Sequence, residues 1–446
     1  FVVVPFHYQD TYCYCGPACL EMVFDYYGED INQLEIADVA RTIDEPVCST
    51  FTDELRRAAH FSNISTSMGG EMYENITGYT LRELGYAAFE AHEMNLDQLK
   101  TFIDQDKPLI LLMWYSDRYA FGHYRVVTGY NETHVFLHDP WNNVSWGGRY
   151  GGPNLAFNYT YFIDLWRYVG NWSLYTLPWT INVLAPTYIK PEIPFQINAS
   201  IAYPQPLPNA IQDYPALSCN ATITLPINLT LAQEETLKKT VGTGFLEAGV
   251  NSTVNWMLMA NSFGTYNITI EVEGLISGAV GANINYSAYE YSDRIGAKAN
   301  FTIKLNEDSN DPVITTISRV PEDIVLPYQE VKVYANITDA ESGVKNATLC
   351  YNLNDSLSWT PKPMSYNPIS HLYNATIPGQ PIETFVKFEI VAFDKVGNNA
   401  TKDGTEYCEY QVIPEFPTSL ILPLFMVLTV PAILYVKKRG SIKPKK

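Results

Sequence analysis

Charge is scarce in this chain: 17% of its 446 residues are Asp, Glu, Lys or Arg, against roughly 25% in an average soluble protein. With 46% hydrophobic residues and 13% aromatics, a disordered polyelectrolyte is excluded. Basic residues are the scarcer sign, 29 against 48 acidic, for a net charge of −19. Six basic residues and no acidic one follow Glu415, so the remainder carries 23 basic against 48 acidic, or −25. Phosphate binding needs a basic face, so no nucleic-acid partner is expected. Cysteine is sparse as well. Seven in this length do not make a disulfide scaffold, and if six pair, one thiol is left over. Neither a G-x-x-x-x-G-K-[ST] loop nor a D-x-D-x-D-G loop occurs, which removes a Walker-type nucleotide site and an EF-hand calcium loop.

What the chain does have is glycosylation signals. Eighteen Asn-x-Ser/Thr sequons without Pro run from Asn63 to Asn399, including Asn131, Asn143, Asn158 and Asn171, a density that reads as a glycosylated exterior protein. The chain starts at Phe1 rather than Met, which fits removal of a signal peptide. Near the other end, Pro417 to Val436 is a run of twenty uncharged residues followed by Lys437, Lys438 and Arg439. At 1.5 Å per residue such a helix spans about 30 Å, a bilayer's hydrocarbon thickness. The basic cluster after it would hold the tail on the cytoplasmic side and leave everything before it outside. The flank Pro414-Glu415-Phe416 resembles the PEF-type C-terminal sorting tails of archaeal surface proteins, which implies that the helix can be cut off and exchanged for another anchor.

Residues 186 to 413 read as β structure. Tyr266, Ile268, Ile270 and Val272 alternate with polar residues, as do Val331, Val333, Ala335 and Ile337, and Val386, Phe388, Ile390 and Ala392. Period-2 alternation marks strands with one buried face. Turns follow at Asp339 to Gly343 and at Asp394 to Asn398, and the acidic stretch Asn306 to Asp311 reads as a linker. Several short strands with turns between them favour sandwiches. The two modules resemble the immunoglobulin-like repeats of prokaryotic surface proteins. The turn aspartates are read as bonding to nearby backbone rather than to calcium. Cys350 and Cys408 fall in separate strands and are candidates to pair.

Residues 1 to about 185 mix helical and strand periods and hold Cys15 and six of the seven histidines. Leu20, Val23, Phe24 and Tyr27 recur at helical spacing, with Pro17 early and Gly28 just past the end. A second helix is expected over Leu96 to Ile103, a buried strand over Leu109 to Trp114, and a hairpin from Tyr124 to Tyr130 and Thr133 to His138. Cys15 sits at the start of the first helix, where the backbone dipole favours thiolate. His123 heads one hairpin strand and Asp139 ends the other, so antiparallel pairing can bring them side by side. The order Cys, His, Asp is that of papain-like enzymes. As a structural alternative, Cys15 could be a half-cystine with Cys13, Cys19 or Cys48. His134 and His138 are about 13 Å apart along a strand, so no zinc site is expected. His7, His60, His92 and His371 show no partner in the sequence and are assigned to surface or packing.

Val4-Pro-Phe-His-Tyr-Gln9, Cys15-Gly-Pro-Ala-Cys-Leu-Glu-Met-Val23, the run Gly122 to Tyr130 and His138-Asp-Pro-Trp141 together resemble the C39-like peptidase family, whose relatives include bacteriocin-processing peptidases. The resemblance covers about 185 residues and implies a papain-like α+β fold. It assigns Gln9 as oxyanion stabiliser, Cys15 as nucleophile, His123 as general base and acid, and Asp139 as its orienting partner. No cofactor or metal is implied. The bacteriocin processors are fused to an ABC transporter, and because this chain has no Walker-type loop, export-coupled cleavage after paired glycines is not carried over.

The reading is therefore a multidomain protein: a papain-like cysteine peptidase domain over 1–185, immunoglobulin-like sandwiches over 186–306 and 307–413, and a sorting motif, membrane helix and basic tail over 414–446. It would be a single-pass surface protein acting on a peptide or protein substrate, with a surface or cell-wall partner possible for the β modules. A non-catalytic adhesin or receptor on the same fold, and an amidase or transpeptidase acting on cell-surface polymers, are the alternatives.

Overall fold

The computed structural model describes residues 1–44, 47–65, 79–190, 192–402 and 408–414. Among the described residues no helix is long and apolar enough to cross a membrane. The expected span from Pro417 to Val436 lies outside them. The chain forms two compact units, one of Phe1–Pro186 with Pro194–Lys304, the other of Thr187–Ile193 with Leu305–Lys446.

In the first unit, helix α1 (Cys15–Tyr26) is buried along Gly16 to Phe24, as its nearly unbroken apolar sequence requires. It ends at Gly28, whose φ of 88° suits the left-handed cap position only glycine takes without strain. Helices α2 (Gln33–Val39) and α3 (Thr52–His60) pack beside it. Then follow β1 (Ala87–Ala91), α4 (Leu96–Asp104), β2 (Leu109–Trp114), β3 (Gly122–Tyr130), β4 (His134–Asp139), α5 (Asn143–Trp146), β5 (Gly152–Asn158), α6 (Tyr159–Arg167) and β6 (Ser173–Leu177). The strands form one antiparallel sheet in the order β1-β6-β2-β3-β4-β5. Helix α1 packs on β3, and every residue from His123 to Gly129 is buried. Helix α4 starts with a capping box between Asn95 and Gln98, which satisfies two otherwise unpaired backbone donors.

The rest of this unit is β structure in two sheets. One holds Ala216–Thr224, Gly264–Val280 and Tyr289–Glu307, the other Phe195–Ala202, Asn251–Ala260 and Thr180–Leu184. Tyr266, Ile268, Ile270 and Val272 are all buried, as their alternation requires. This β part is joined to the helical part by buried polar bonds. Arg57 pairs with Asp293 at 3.1 Å, Arg56 donates to the Ala279 carbonyl at 2.8 Å, Arg41 donates to the Ser287 carbonyl at 3.1 Å, and His60 meets the Tyr291 hydroxyl at 3.0 Å. Gly85 and Ile295 form a parallel bridge. The boundary expected at residue 185 thus falls inside one compact unit.

In the second unit two sheets enclose one core. Val331, Val333, Ala335 and Ile337 from one meet Val386, Phe388, Ile390 and Ala392 from the other. The stretch expected to be a linker differs from its reading: Asn306 and Glu307 pair with Tyr188 and Ile189, and the buried Asp308 accepts from Ser342 N at 3.0 Å. Asp308 thus serves a bond to a distant turn, while Glu307 and Asp311 are exposed. The cysteine pair expected here also differs. Cys350 is on the outward face of its strand between the buried Leu349 and Tyr351, while Cys408 is in the core, so alternation places them on opposite faces.

Candidate active site

Cys15 is the first residue of α1, and the segment before it is tied down on both sides. Gln9 N donates to the Pro140 carbonyl at 2.8 Å, which fastens this stretch to the end of β4. Cys13 is disulfide-bonded to Cys48, the pairing that leaves Cys15 as a free thiol. The half-cystine alternative for Cys15 is therefore not the one adopted.

Cys15 and His123 line one cleft, and the imidazole's hydrogen-bonding capacity and charge favour the thiolate. His123 Nε2 lies 2.7 Å from Asp139 Oδ1, which leaves Nδ1 for the sulfur. Both residues are buried. His123 comes from β3 and Asp139 from the end of β4, so the hairpin brings together residues sixteen apart in the sequence. Trp141 N also donates to Asp139 Oδ1 at 3.0 Å. The imidazole packs against the rings of Tyr115 and Trp141, with centroids 5.4 and 6.1 Å away, and these two rings also meet each other.

Arg125 completes the cluster and was not singled out from the sequence. Its Nε donates to Asp139 Oδ2 at 2.7 Å, and its two terminal nitrogens donate to the carbonyls of Trp114 and Tyr115. The signal was present in the strand period: residues two apart share a face, so His123 and Arg125 point the same way from β3.

Electrostatics follow from burial and these partners. Burial pushes the Cys15 thiol up, but the His123 hydrogen bond and charge, with the backbone of Tyr124 and Gly16, outweigh it and hold the thiol below its ordinary value. Burial opposes protonation of His123, yet Asp139 and the Cys15 hydrogen bond raise it above its ordinary value against Arg125. Burial works against ionised Asp139, and Arg125 followed by His123 overcomes it, holding the carboxyl well below the usual range. Cys19, one turn along α1, is driven well above its ordinary value by burial and by the neighbouring Cys15. Cys19, without a histidine partner, gains too little to offset its burial, whereas Cys15 gains enough.

Gln9 is buried beside this cluster, but its Nε2 donates to the Thr11 and Tyr12 carbonyls, each at 2.9 Å, and Oε1 has no hydrogen-bond partner. Both amide hydrogens are engaged in holding the turn that precedes Cys15.

A cleft of about 490 Å³ opens on Cys15 and His123. The other histidines are placed elsewhere. His138 lies between the Val4 carbonyl at 2.9 Å and Asn154 N at 3.1 Å, and His134 meets Thr133. Three histidines read as lacking partners have them: His7 with Asp25, His60 with Tyr291 and the Ala88 carbonyl, and His371 with Tyr366. In the second unit Asp308, Asp339 and Glu341 place carboxylate oxygens within 4.8 Å of one another. Asp339 accepts from Gly343 N and Asp394 from three successive backbone amides, the turn role read for these aspartates.

The family model described as Peptidase_C39 like family matches residues 2–171, so the N-terminal part of the chain is C39-like. No curated protein matches the chain. Three solved structures show faint likeness. The purple acid phosphatase PPD1 of yellow lupin (Lupinus luteus) is 8% identical over 53% of this chain and 41% of its own, with a TM-score of 0.17. The FN1-FN3 domains of chicken CNTN1 are 11% identical over 69% and 90%, TM-score 0.25. The secreted serine protease VesC of Vibrio cholerae is 10% identical over 74% and 76%, TM-score 0.17. At such scores these likenesses carry no argument, and the chain spans less than half the length of the phosphatase.

Proposed function

We propose that the protein is a cysteine peptidase working through Cys15, His123 and Asp139. The observation that carries the reading is that the half-buried Cys15 and the buried His123 line one cleft, with Asp139 bonded to the imidazole. Cys15 Sγ bonds to the carbonyl carbon, and the carbon–nitrogen bond breaks as His123 gives its proton to the leaving amine. Water then bonds to the thioester carbon, His123 takes its proton, and the carbon–sulfur bond breaks to restore the thiolate. Asp139 keeps the imidazole in the required tautomer and orientation. Gln9 would supply an oxyanion donor only by releasing one of its two carbonyl partners.

Surface anchoring is part of the same proposal. It is supported by the uncharged run before Lys437 and by the sequons. The test of the catalytic reading is alkylation of the full chain by iodoacetamide across pH, with the modified cysteine mapped. Cys15 should react selectively below the pH at which free thiols do, about 8.5, and His123→Ala should abolish that selectivity. Uniform labelling of all free thiols, unchanged in His123→Ala, would sink it.

A further inference from the structure

We infer that the cleft beside Cys15 selects a bulky, uncharged, apolar side chain in one of the two residues preceding the scissile bond. This rests on the peptidase reading and adds its substrate class. The cleft's apolar lining is Tyr12 and Trp141, whose rings are in contact, with Val47, Leu112 and Phe121. Among the lining residues none is Asp, Glu, Lys or Arg, and the ionisable side chains other than tyrosines and Cys48, which is bonded to Cys13, are Cys15 and His123 themselves. Arg125 and Asp139, behind His123, are buried and bonded to each other. A substrate carboxylate or ammonium entering here would leave water without an Asp, Glu, Lys or Arg in the lining to pair with it.

An apolar group would instead gain from leaving water. Fully burying a leucyl or phenylalanyl side chain is worth roughly ten- to hundredfold in binding, and the cleft's volume of about 490 Å³ lies in the range of pockets that enclose ligands. The Val47 wall is also held in place. Ile43 and Ser49 exchange backbone bonds at 2.8 and 3.0 Å, the Tyr124 hydroxyl donates to the Thr50 carbonyl at 2.9 Å, and Cys48 is bonded to Cys13. A wall fixed before substrate arrives need not be ordered on binding.

The test uses the full chain and dipeptidyl chloromethyl ketones, in which Cys15 Sγ would displace chloride. Phe, Leu, Gly, Lys and Asp are placed in turn at each of the two residues, and the rates are compared with iodoacetamide. At one of the two positions, Phe and Leu probes should react at least tenfold faster than Gly, Lys or Asp probes. In Val47→Asp the Lys probe should gain and the Phe probe lose, each measured relative to that variant's own iodoacetamide rate. If iodoacetamide alkylates Cys15 selectively but the probes react alike, or Gly or a charged residue is preferred, the substrate inference is overturned and the nucleophile stands. If iodoacetamide shows no selectivity, both fall.

Discussion

Arg125 and His123 divide the carboxylate of Asp139 between them, each 2.7 Å from its own oxygen. The aspartate is thus pinned from two sides, and the imidazole faces an anion whose charge is already partly answered. Arg125→Gln removes a cation that disfavours protonated His123, so the histidine's proton affinity rises. The alkaline limb of peptide hydrolysis, which reports loss of the imidazolium, should move to higher pH, and Arg125→Lys should restore it toward the wild-type position. Asp139 has a depressed folded value, so its stabilisation is present above the ordinary carboxylate range and is lost as pH falls through that folded value. With less depression in Arg125→Gln, acid unfolding should begin at higher pH. At neutral pH the lost buried partner should cost about 3–5 kcal/mol, measured by urea denaturation. An unmoved alkaline limb would show that Arg125 serves the fold alone.

A second prediction concerns the junction within the first unit. Gly85 N donates to the Arg294 carbonyl and its own carbonyl accepts from Gly296 N, both at 3.0 Å. A Cβ on Gly85 would lie 1.7 Å from the His60 carbonyl oxygen, which backbone cannot vacate cheaply. Gly85→Ala should therefore cost about 1–3 kcal/mol and lower the melting temperature by several degrees. A chain cut at residue 186 leaves Arg57 buried without Asp293 and should be far more protease-sensitive than one cut at residue 304. Equal resistance of the two fragments would show that the β part merely rests on the helical part.

Much of this was legible from local patterns, because local patterns report local physics. Pro17 and Gly28 bracket α1, the apolar run Leu109 to Trp114 is β2, and hairpin geometry brings His123 beside Asp139. What was not legible depended on partners distant in sequence. Arg41, Arg56 and Arg57 find their partners in the Ser287 carbonyl, the Ala279 carbonyl and Asp293, some 220 to 250 residues away. The Cys13–Cys48 pairing likewise depends on where the segment between α2 and α3 returns to the start of α1, which no local pattern carries.

That disulfide makes its own prediction. It closes a separation of 35 residues, for which chain entropy gives about 4 kcal/mol of stabilisation. The double change Cys13→Ser with Cys48→Ser should lower the urea midpoint accordingly while leaving Cys15 the most reactive thiol. Non-reducing peptide mapping of the wild type should recover the 13–48 peptide pair. Recovery of a 15–48 or 19–48 pair instead would contradict the arrangement.

Gln9 offers the sharpest separation of structure from catalysis. If it acts as the oxyanion donor in turnover, Gln9→Ala should lower kcat by roughly 100- to 1000-fold with the pH profile of Cys15 alkylation unchanged, because alkylation develops no oxyanion. If its work is to hold the Thr11 and Tyr12 carbonyls, the turn before Cys15 loosens, and alkylation and melting temperature should fall together. Gln9→Glu sharpens the contrast. A carboxylate has no hydrogens for those two carbonyls, so a purely structural Gln9 predicts greater damage from Glu than from Ala in both alkylation and stability. An oxyanion donor predicts loss of turnover in both variants, with alkylation kept in the alanine variant.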